Sequence, residues 1–188
     1  MAIIHRASIT PTKLELVAIW LERAGGVPGE GELRQVGSYR FDDPEGEVGI
    51  EALLVTRGGP VVQVAMTYRG APLPGAETHL IGTMEHSVLG RRWVHEANGD
   101  RVALAAYQRA LSGAQAQAAL EIWEGDTLVE TRPQTVVLEV RHPASSPSAI
   151  RARVASGIGP EPADAPGAPA LLARWDGGET VVAVGEPV

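Results

Sequence analysis

The stretch Val61 to Glu96 reads VVQVAMTYRGAPLPGAETHLIGTMEHSVLGRRWVHE, and its reading decides the fold. It opens as an alternating strand: Val62, Val64, Met66 and Tyr68 share one face, and Gln63, Thr67 and Arg69 share the other with Val61 and Ala65. That pattern describes a half-buried antiparallel strand. A corner rich in Gly and Pro follows from Arg69 to Gly75. LIGTMEH and RRWVHEA then read as short strands around a turn at Leu89-Gly90; Ser87 to Trp93 also fits a helical turn, and strands are preferred. The stretch carries three of the five histidines, His79, His86 and His95, together with Glu77, Glu85, Arg91, Arg92 and Glu96.

Upstream, Leu33 to Phe41 and Glu47 to Arg57 read as two further strands of a meander, turned by Asp42-Asp43-Pro44-Glu45-Gly46 and Gly58-Gly59-Pro60. Before them, Ala2 to Ser8 reads as a strand. Thr12 and Glu15 fit a capping box, with Leu14, Val17, Leu21 and Ala24 behind it at helical spacing, Leu16 and Trp20 widening the face, and Gly25-Gly26 as the stop. Downstream, Asp100 is placed to cap a second helix whose stripe is Leu104, Tyr107 and Leu111, with Ala103, Ala106 and Ala110 allowing close approach and Gly113 at C′. Short strands follow: Ala116 to Ile122, Thr127 to Thr131, Val136 to Val140 and Ile150 to Ala155. A Pro/Gly-rich loop is expected from Gly157 to Pro169, and a hairpin around Asp176-Gly177-Gly178. Strand, helix, meander, helix, meander is the order of an α+β antiparallel fold, not of a doubly wound parallel sheet.

Composition bounds the function. The chain has 188 residues, 44% hydrophobic and 21% charged, which suits one domain or two lobes sharing a core. Aromatics are sparse, so Trp20, Trp93, Trp123 and Trp175 are expected as core anchors. A net charge of −7 argues against nucleic acid as the main partner. Cysteine is absent, which excludes disulfides, thiolate metal sites and Cys nucleophiles. No leader segment and no apolar run near the roughly 20 residues of a membrane helix stands out, so the expected compartment is the cytoplasm, with no membrane partner.

No complete catalytic signature is present. His79, His86 and His95 are seven and nine residues apart and include no H-E-x-x-H, so no metal is expected. There is no G-x-S-x-G; Glu85, His86 and Ser87 are consecutive and diverge on a strand. Neither phosphate-cradling glycine motif occurs, and Gly157-Ile158-Gly159-Pro160 sits in a Pro-rich loop. No cofactor is expected. For Arg91-Arg92-Trp93, solvated arginines pairing with Glu85, Glu96 or water outweigh an anion or sugar site. A ligand-binding hypothesis remains for Tyr68, Arg69, Glu85, His86, Arg91 and Arg92. The occupant would be a small sugar-like or anionic molecule, with Arg69 presented at a strand end.

Two segments, IIHRASITPTKLELVAIWL and VAMTYRGAPLPGAETHLIGTMEHSVLGRRWVHEA, resemble the N-terminal cap domain of actinobacterial maltokinases. The likeness is closer still to short stand-alone proteins with a cap-like domain, some of them named 1,4-α-glucan branching proteins. The resemblance covers residues 1–125 as a cap-like domain, leaving 126–188 as a β-rich extension that shares its core. It implies a curved antiparallel sheet with packed helices, loosely cystatin-like. It also implies an accessory or regulatory role in α-glucan, maltose or trehalose metabolism, exerted on a partner enzyme. In maltokinases the cap precedes the catalytic region and holds neither ATP nor magnesium. No H-x-D or H-G-D follows any histidine here, so kinase activity does not carry over. A branching enzyme needs a (β/α)₈ barrel of about 250 residues. Oligomeric state is not legible.

Overall fold

The computed structural model describes residues 3–4, 8–124, 127–156 and 166–188. In chain order the elements are β1 (Ile3–Ile4), β2 (Ile9–Thr10), α1 (Lys13–Arg23), β3 (Arg34–Phe41), β4 (Gly49–Thr56), β5 (Val62–Arg69), β6 (Leu80–His86) and β7 (Gly90–Glu96). Then come α2 (Arg101–Leu111), β8 (Leu120–Glu124), β9 (Thr127–Arg132), β10 (Val136–Arg141), β11 (Ile150–Val154), β12 (Ala170–Trp175) and β13 (Gly178–Pro187). Leu80 to Glu96 is thus a strand pair. Most of the strand expected at Ala2 to Ser8 and of the loop expected at Gly157 to Pro169 lies outside the described residues.

Three sheets result, in an α+β arrangement that is almost wholly antiparallel. A six-stranded sheet has the order β2-β6-β7-β5-β4-β3, a four-stranded sheet the order β10-β12-β13-β11, and a three-stranded sheet the order β1-β8-β9. Among the described residues the one parallel pairing is the short contact of β1 with β8. The corner after Arg69 lets the chain overshoot: β6 lands outside β7, and β7 returns between β5 and β6. Within that corner Gly75 takes a φ of +78°, and its amide donates to Glu77 Oε1. A 3-10 turn at Glu77–His79 leads into β6.

Both helices form where short-range signals place them. Thr12 Oγ1 accepts from the Glu15 amide and Glu15 Oε2 accepts from the Thr12 amide at 2.8 Å, so each satisfies an otherwise free donor. At the end of α2, Gly113 has a φ of +75° and the Ala114 amide donates to Arg109 O at 2.8 Å, closing a Schellman turn.

The expected half-buried β5 is corrected by packing on both faces. Val64 and Met66 meet Leu16, Val17, Trp20 and Leu21 of α1 in one core, together with Leu53, Ile81 and Val94. On the opposite face Ile50, Ala52, Leu54 and Ala65 join Ala103, Ala106, Tyr107 and Leu111 of α2 and Leu171, Ala173 and Val182 of the four-stranded sheet. The six-stranded sheet is therefore a middle layer, which is why β4 is buried from Ile50 to Thr56. The two helices do not share one sheet, because α2 packs mainly on the four-stranded one. The sheets cross closely at Gly37, where an added Cβ would stand 2.5 Å from Val136 Cγ2.

Of the four tryptophans, Trp20 is a core anchor, while Trp93 and Trp175 are half-buried, as suits an indole with one polar edge. The Trp123 side chain lies outside the described residues. Leu21 is 1% exposed and Leu104 only half-buried. Leu21→Ala is accordingly expected to cost about 3 kcal/mol and Leu104→Ala about 1 kcal/mol, read by urea unfolding; equal costs would contradict this packing.

Candidate functional site

The organising stretch delivers its polar side chains to two opposite faces. Strand alternation and register put Arg69, Glu85 and Arg91 on the α2 side, with Thr67, Trp93 and His95. Tyr68, His86 and Arg92 fall on the α1 side, in line with Val94 and Met84. The six residues expected to hold a ligand are therefore not brought together.

Arg69 is engaged from within the chain. Its Nε donates to Asp100 Oδ2 at 2.6 Å and its Nη2 to Asp100 Oδ1 at 2.7 Å, a side-on bidentate pair. Asp100 is 0% exposed, and Oδ1 also accepts from the Val102 amide as the cap of α2. Burial alone would raise the Asp100 pKa; the hydrogen bonds from Arg69 and Val102 outweigh it and hold the carboxyl below its ordinary range. The Asp100 bond raises the Arg69 pKa, and the Asp43 and Glu47 carboxylates add to that effect. Asp43 is itself fixed by the amides of Glu45, Glu47 and Val48. With three carboxylates around one guanidinium, an anionic ligand has little charge left to meet.

His95 lies in the same layer, paired in register with Thr67 and 2% exposed. Burial pushes its pKa down; Asp100 pulls it up, against Arg69 and His79. Its Nδ1 is buried without a hydrogen bond. Beside it, His79 Nδ1 stands 3.3 Å from Glu96 Oε2, and Ser156 Oγ donates to Glu96 Oε1 at 2.9 Å. A serine, a carboxylate and an imidazole thus meet in the wrong order for nucleophilic catalysis, since the carboxylate separates the hydroxyl from its would-be base. Asn98 ties the corner to β11: its amide nitrogen donates to Val154 O, and its amide oxygen accepts from the Val154 amide. Among the described residues no group of three His, Asp or Glu side chains is placed to hold a metal.

On the other face, Tyr68 lies against Gly49, where an added Cβ would be 3.3 Å from the ring, and the Lys13 ammonium stands 5.5 Å from the ring centroid. Lys13 Nζ donates to Glu51 Oε2 at 2.5 Å. Burial would raise the Glu51 pKa, but Lys13 and Arg40 bring it below the ordinary value. Burial pushes the Tyr68 hydroxyl up, and the Glu51 carboxylate pushes it further. The chain's one lysine therefore anchors the start of α1 to the sheet.

The β6–β7 turn is a tip held by its own hydrogen bonds. His86 Nδ1 accepts from the amides of Val88 and Leu89 at 3.2 and 3.1 Å. The Ser87 amide donates to Ser8 O, and the Ser8 amide donates to Ser87 Oγ. Arg91 pairs with Glu85 at 2.6 Å, both exposed, and Arg92 Nη2 donates to Leu89 O at 2.7 Å. The tip holds out Val88, 57% exposed, and Leu89, 45% exposed.

Residues 19–100 match the family model of the maltokinase N-terminal cap domain. The resemblance read from the sequence is thereby shown over that span, which runs from inside α1 through β7 to Asp100 and contains both halves of the Arg69–Asp100 pair. No curated protein and no solved structure matches the chain. No helix among the described residues is long and apolar enough to cross a membrane.

Sequence reasoning found the Asp100 cap but not its bond to Arg69, and it foresaw the turn at Asp43 and the strand face of Gln63 but not the hydrogen bonds that Gln63, Tyr39 and Asp43 make. The available signal was the placing of Glu51, Gln63 and Thr67 inside strands whose neighbours are apolar.

Proposed function

We propose that the protein is a non-catalytic accessory or regulatory module related to the maltokinase cap. It would serve α-glucan, maltose or trehalose metabolism in the cytoplasm by docking on a partner enzyme. The observation that carries this reading is the cap-domain match over 19–100. The engagement of Arg69, Glu85, His86, Arg91 and Arg92 within the chain supports it, because those side chains have partners of their own and fall on two faces of the sheet. The alternative, a small-ligand site or enzyme pocket around Arg69, Glu85, His86 and Arg91, has less support for the same reason. In this reading residues 1–125 act as the cap-like part and 126–188 as its extension, and α1 laid across the antiparallel meander is the cystatin-like feature.

The docking surface we assign is the β6–β7 tip. A turn already ordered by its own hydrogen bonds loses little entropy when it binds, and two apolar side chains at its apex suit an apolar pocket on the partner. The test is complex formation, by analytical ultracentrifugation, with a maltokinase catalytic region lacking its own cap and, separately, with a trehalose synthase. A complex with either at about 10 μM protein, weakened tenfold or more by Val88→Asp or Leu89→Asp while the Tm holds, supports the reading. No complex with either enzyme, or ATP-dependent phosphorylation of maltose by the protein alone, overturns it.

A further inference from the structure

We propose that His86 is a pH switch for the β6–β7 tip: the turn is ordered while the ring is neutral and loosens when the ring takes up a proton, so that a partner is held near neutrality and released in mild acid. The inference rests on the tip being the docking surface and adds its regulation. The strand pair closes over Ser87, Val88 and Leu89, between His86 at the end of β6 and Gly90 at the start of β7, where a φ of +70° turns the chain back. The amides of Val88 and Leu89 both point at one atom, His86 Nδ1, at 3.2 and 3.1 Å. A backbone amide only donates, so Nδ1 accepts, and the neutral ring carries its proton on Nε2. A protonated ring has a hydrogen on both nitrogens. Three N–H groups would then meet at Nδ1, and both amide bonds are lost together.

Those bonds order the two residues that form the apolar apex. The other hydrogen bonds of the tip tie Ser87 to Ser8 and Arg92 to Leu89 O, through hydroxyl and carbonyl acceptors that do not titrate. The charges around the ring act in the same direction. Arg92 of β7 falls on the same face as His86, so an imidazolium adds a second positive charge to the tip. Glu85 is turned to the opposite face and pairs with Arg91. β2 places Ile9 opposite His86 and Thr10 opposite Glu85, neither of them charged. On α1, Glu15 is tied to Thr12 and Lys13 to Glu51. Water takes up the two exposed amides once the ring is protonated, so the loss is local and global stability changes little. Docking then carries the cost of ordering the turn, and a charge has to lie beside an apolar pocket.

The first test needs no partner. Nitrogen NMR shifts of the His86 ring in the full chain read its tautomer, and hydrogen exchange of the Val88 and Leu89 amides, corrected for the intrinsic pH dependence of exchange, reads the turn. The expected result is a proton on Nε2 near pH 7.5 and a tenfold or greater loss of amide protection by about pH 5, following the His86 titration across the ordinary imidazole range. The Ser87 amide, bonded to Ser8 O, should hold its protection throughout. His86→Asn keeps an acceptor that reaches the amide two residues on and does not titrate, so Val88 should stay protected at both pH values, whereas His86→Ala should leave it unprotected at both. His86→Asn retains His79 and His95, so an acid-induced loss that persists in it belongs to them and overturns the proposal. A proton on Nδ1 near neutrality, or protection indifferent to pH, overturns it equally. The second test repeats the ultracentrifugation with the two enzymes at both pH values. The complex should weaken fivefold or more in acid for the wild type, relative to His86→Asn, and a complex that weakens alike in both sinks the switch. No complex at either pH, with ring and amides behaving as described, sinks the docking reading and leaves the switch standing.

Discussion

Asp100→Ala is expected to destabilise the protein by about 4 kcal/mol, among the largest effects of any single polar change. Two losses combine. Removing one partner of a buried ion pair leaves the other charge uncompensated, at about 3–5 kcal/mol. Arg69 is that other charge, with its side chain 19% exposed, so some solvent reaches it and the lower part of that range applies. Removing an Asp cap costs about 1 kcal/mol more, because the Val102 amide loses its acceptor. Urea unfolding at pH 7 measures the sum, and a loss below about 2 kcal/mol would show that water replaces the pair at little cost. The effect depends on pH with a definite sign. The folded-state pKa of Asp100 is depressed, so its contribution is fully present above the ordinary carboxyl pKa, about 3.9. It is lost as pH falls through the lower, folded value. The gap between wild type and Asp100→Ala should therefore stay constant from neutrality down to about pH 5 and close below about pH 4. His95 acts earlier. Its pKa is also depressed, so the stability tied to its neutral ring is present above about pH 6.5 and lost as pH falls below it. A wild-type profile that first declines below pH 6.5, and loses that decline in His95→Asn, is the matching outcome.

What was legible in the sequence divides by the range of the interaction. The Thr12–Glu15 box and the Asp100 cap join residues a few positions apart, so residue type and spacing suffice to read them. The meander was legible for the same reason, because Gly58-Gly59-Pro60 must turn and the flanking residues alternate. The second cover on the six-stranded sheet was not read, although the run Ile50 to Val55 hinted at it: Leu53 and Val55 are apolar on the face that alternation assigns to solvent. The candidate site fared worse. Arg69 and Asp100 are distant in sequence and meet only because β7 returns beside β5 and delivers the chain to α2. Nothing local marks a cation at a strand end as already paired. Glu85 with Arg91 was foreseeable, since the hairpin turn fixes their register.

Gln63→Ala is the second large expectation, at about 4 kcal/mol. Gln63 stands on β5 at 3% exposure, facing the four-stranded sheet. Its amide nitrogen donates to Ala155 O and to Val182 O, each at 3.0 Å, and its amide oxygen accepts from the Tyr39 hydroxyl at 2.5 Å. The Tyr39 and Tyr107 hydroxyls lie 2.8 Å apart, and the Phe41 ring meets both tyrosine rings edge-on. One amide thus joins two sheets through an otherwise apolar core. Burial pushes both tyrosine pKa values upward, so the phenols stay neutral across the working range and the network does not titrate. Truncation at Gln63 takes a donor from two carbonyls and the acceptor from the Tyr39 hydroxyl, although Val182 O keeps the Ala155 amide and the Tyr39 hydroxyl keeps Tyr107. Each costs about 1–3 kcal/mol when buried without a partner, less where the second lone pair of a carbonyl keeps a strand hydrogen bond, and the vacated side-chain volume adds a cavity cost. Tyr39→Phe removes both the donor to Gln63 and the partner of the Tyr107 hydroxyl, and is expected to cost about 1.5 kcal/mol. The pair should couple: a double-mutant cycle on Gln63 and Tyr39 should return an interaction energy of at least about 1 kcal/mol, because each single change damages the same network. Additive losses would mean that the tyrosine pair and the amide act separately, with the two sheets held together by apolar packing alone.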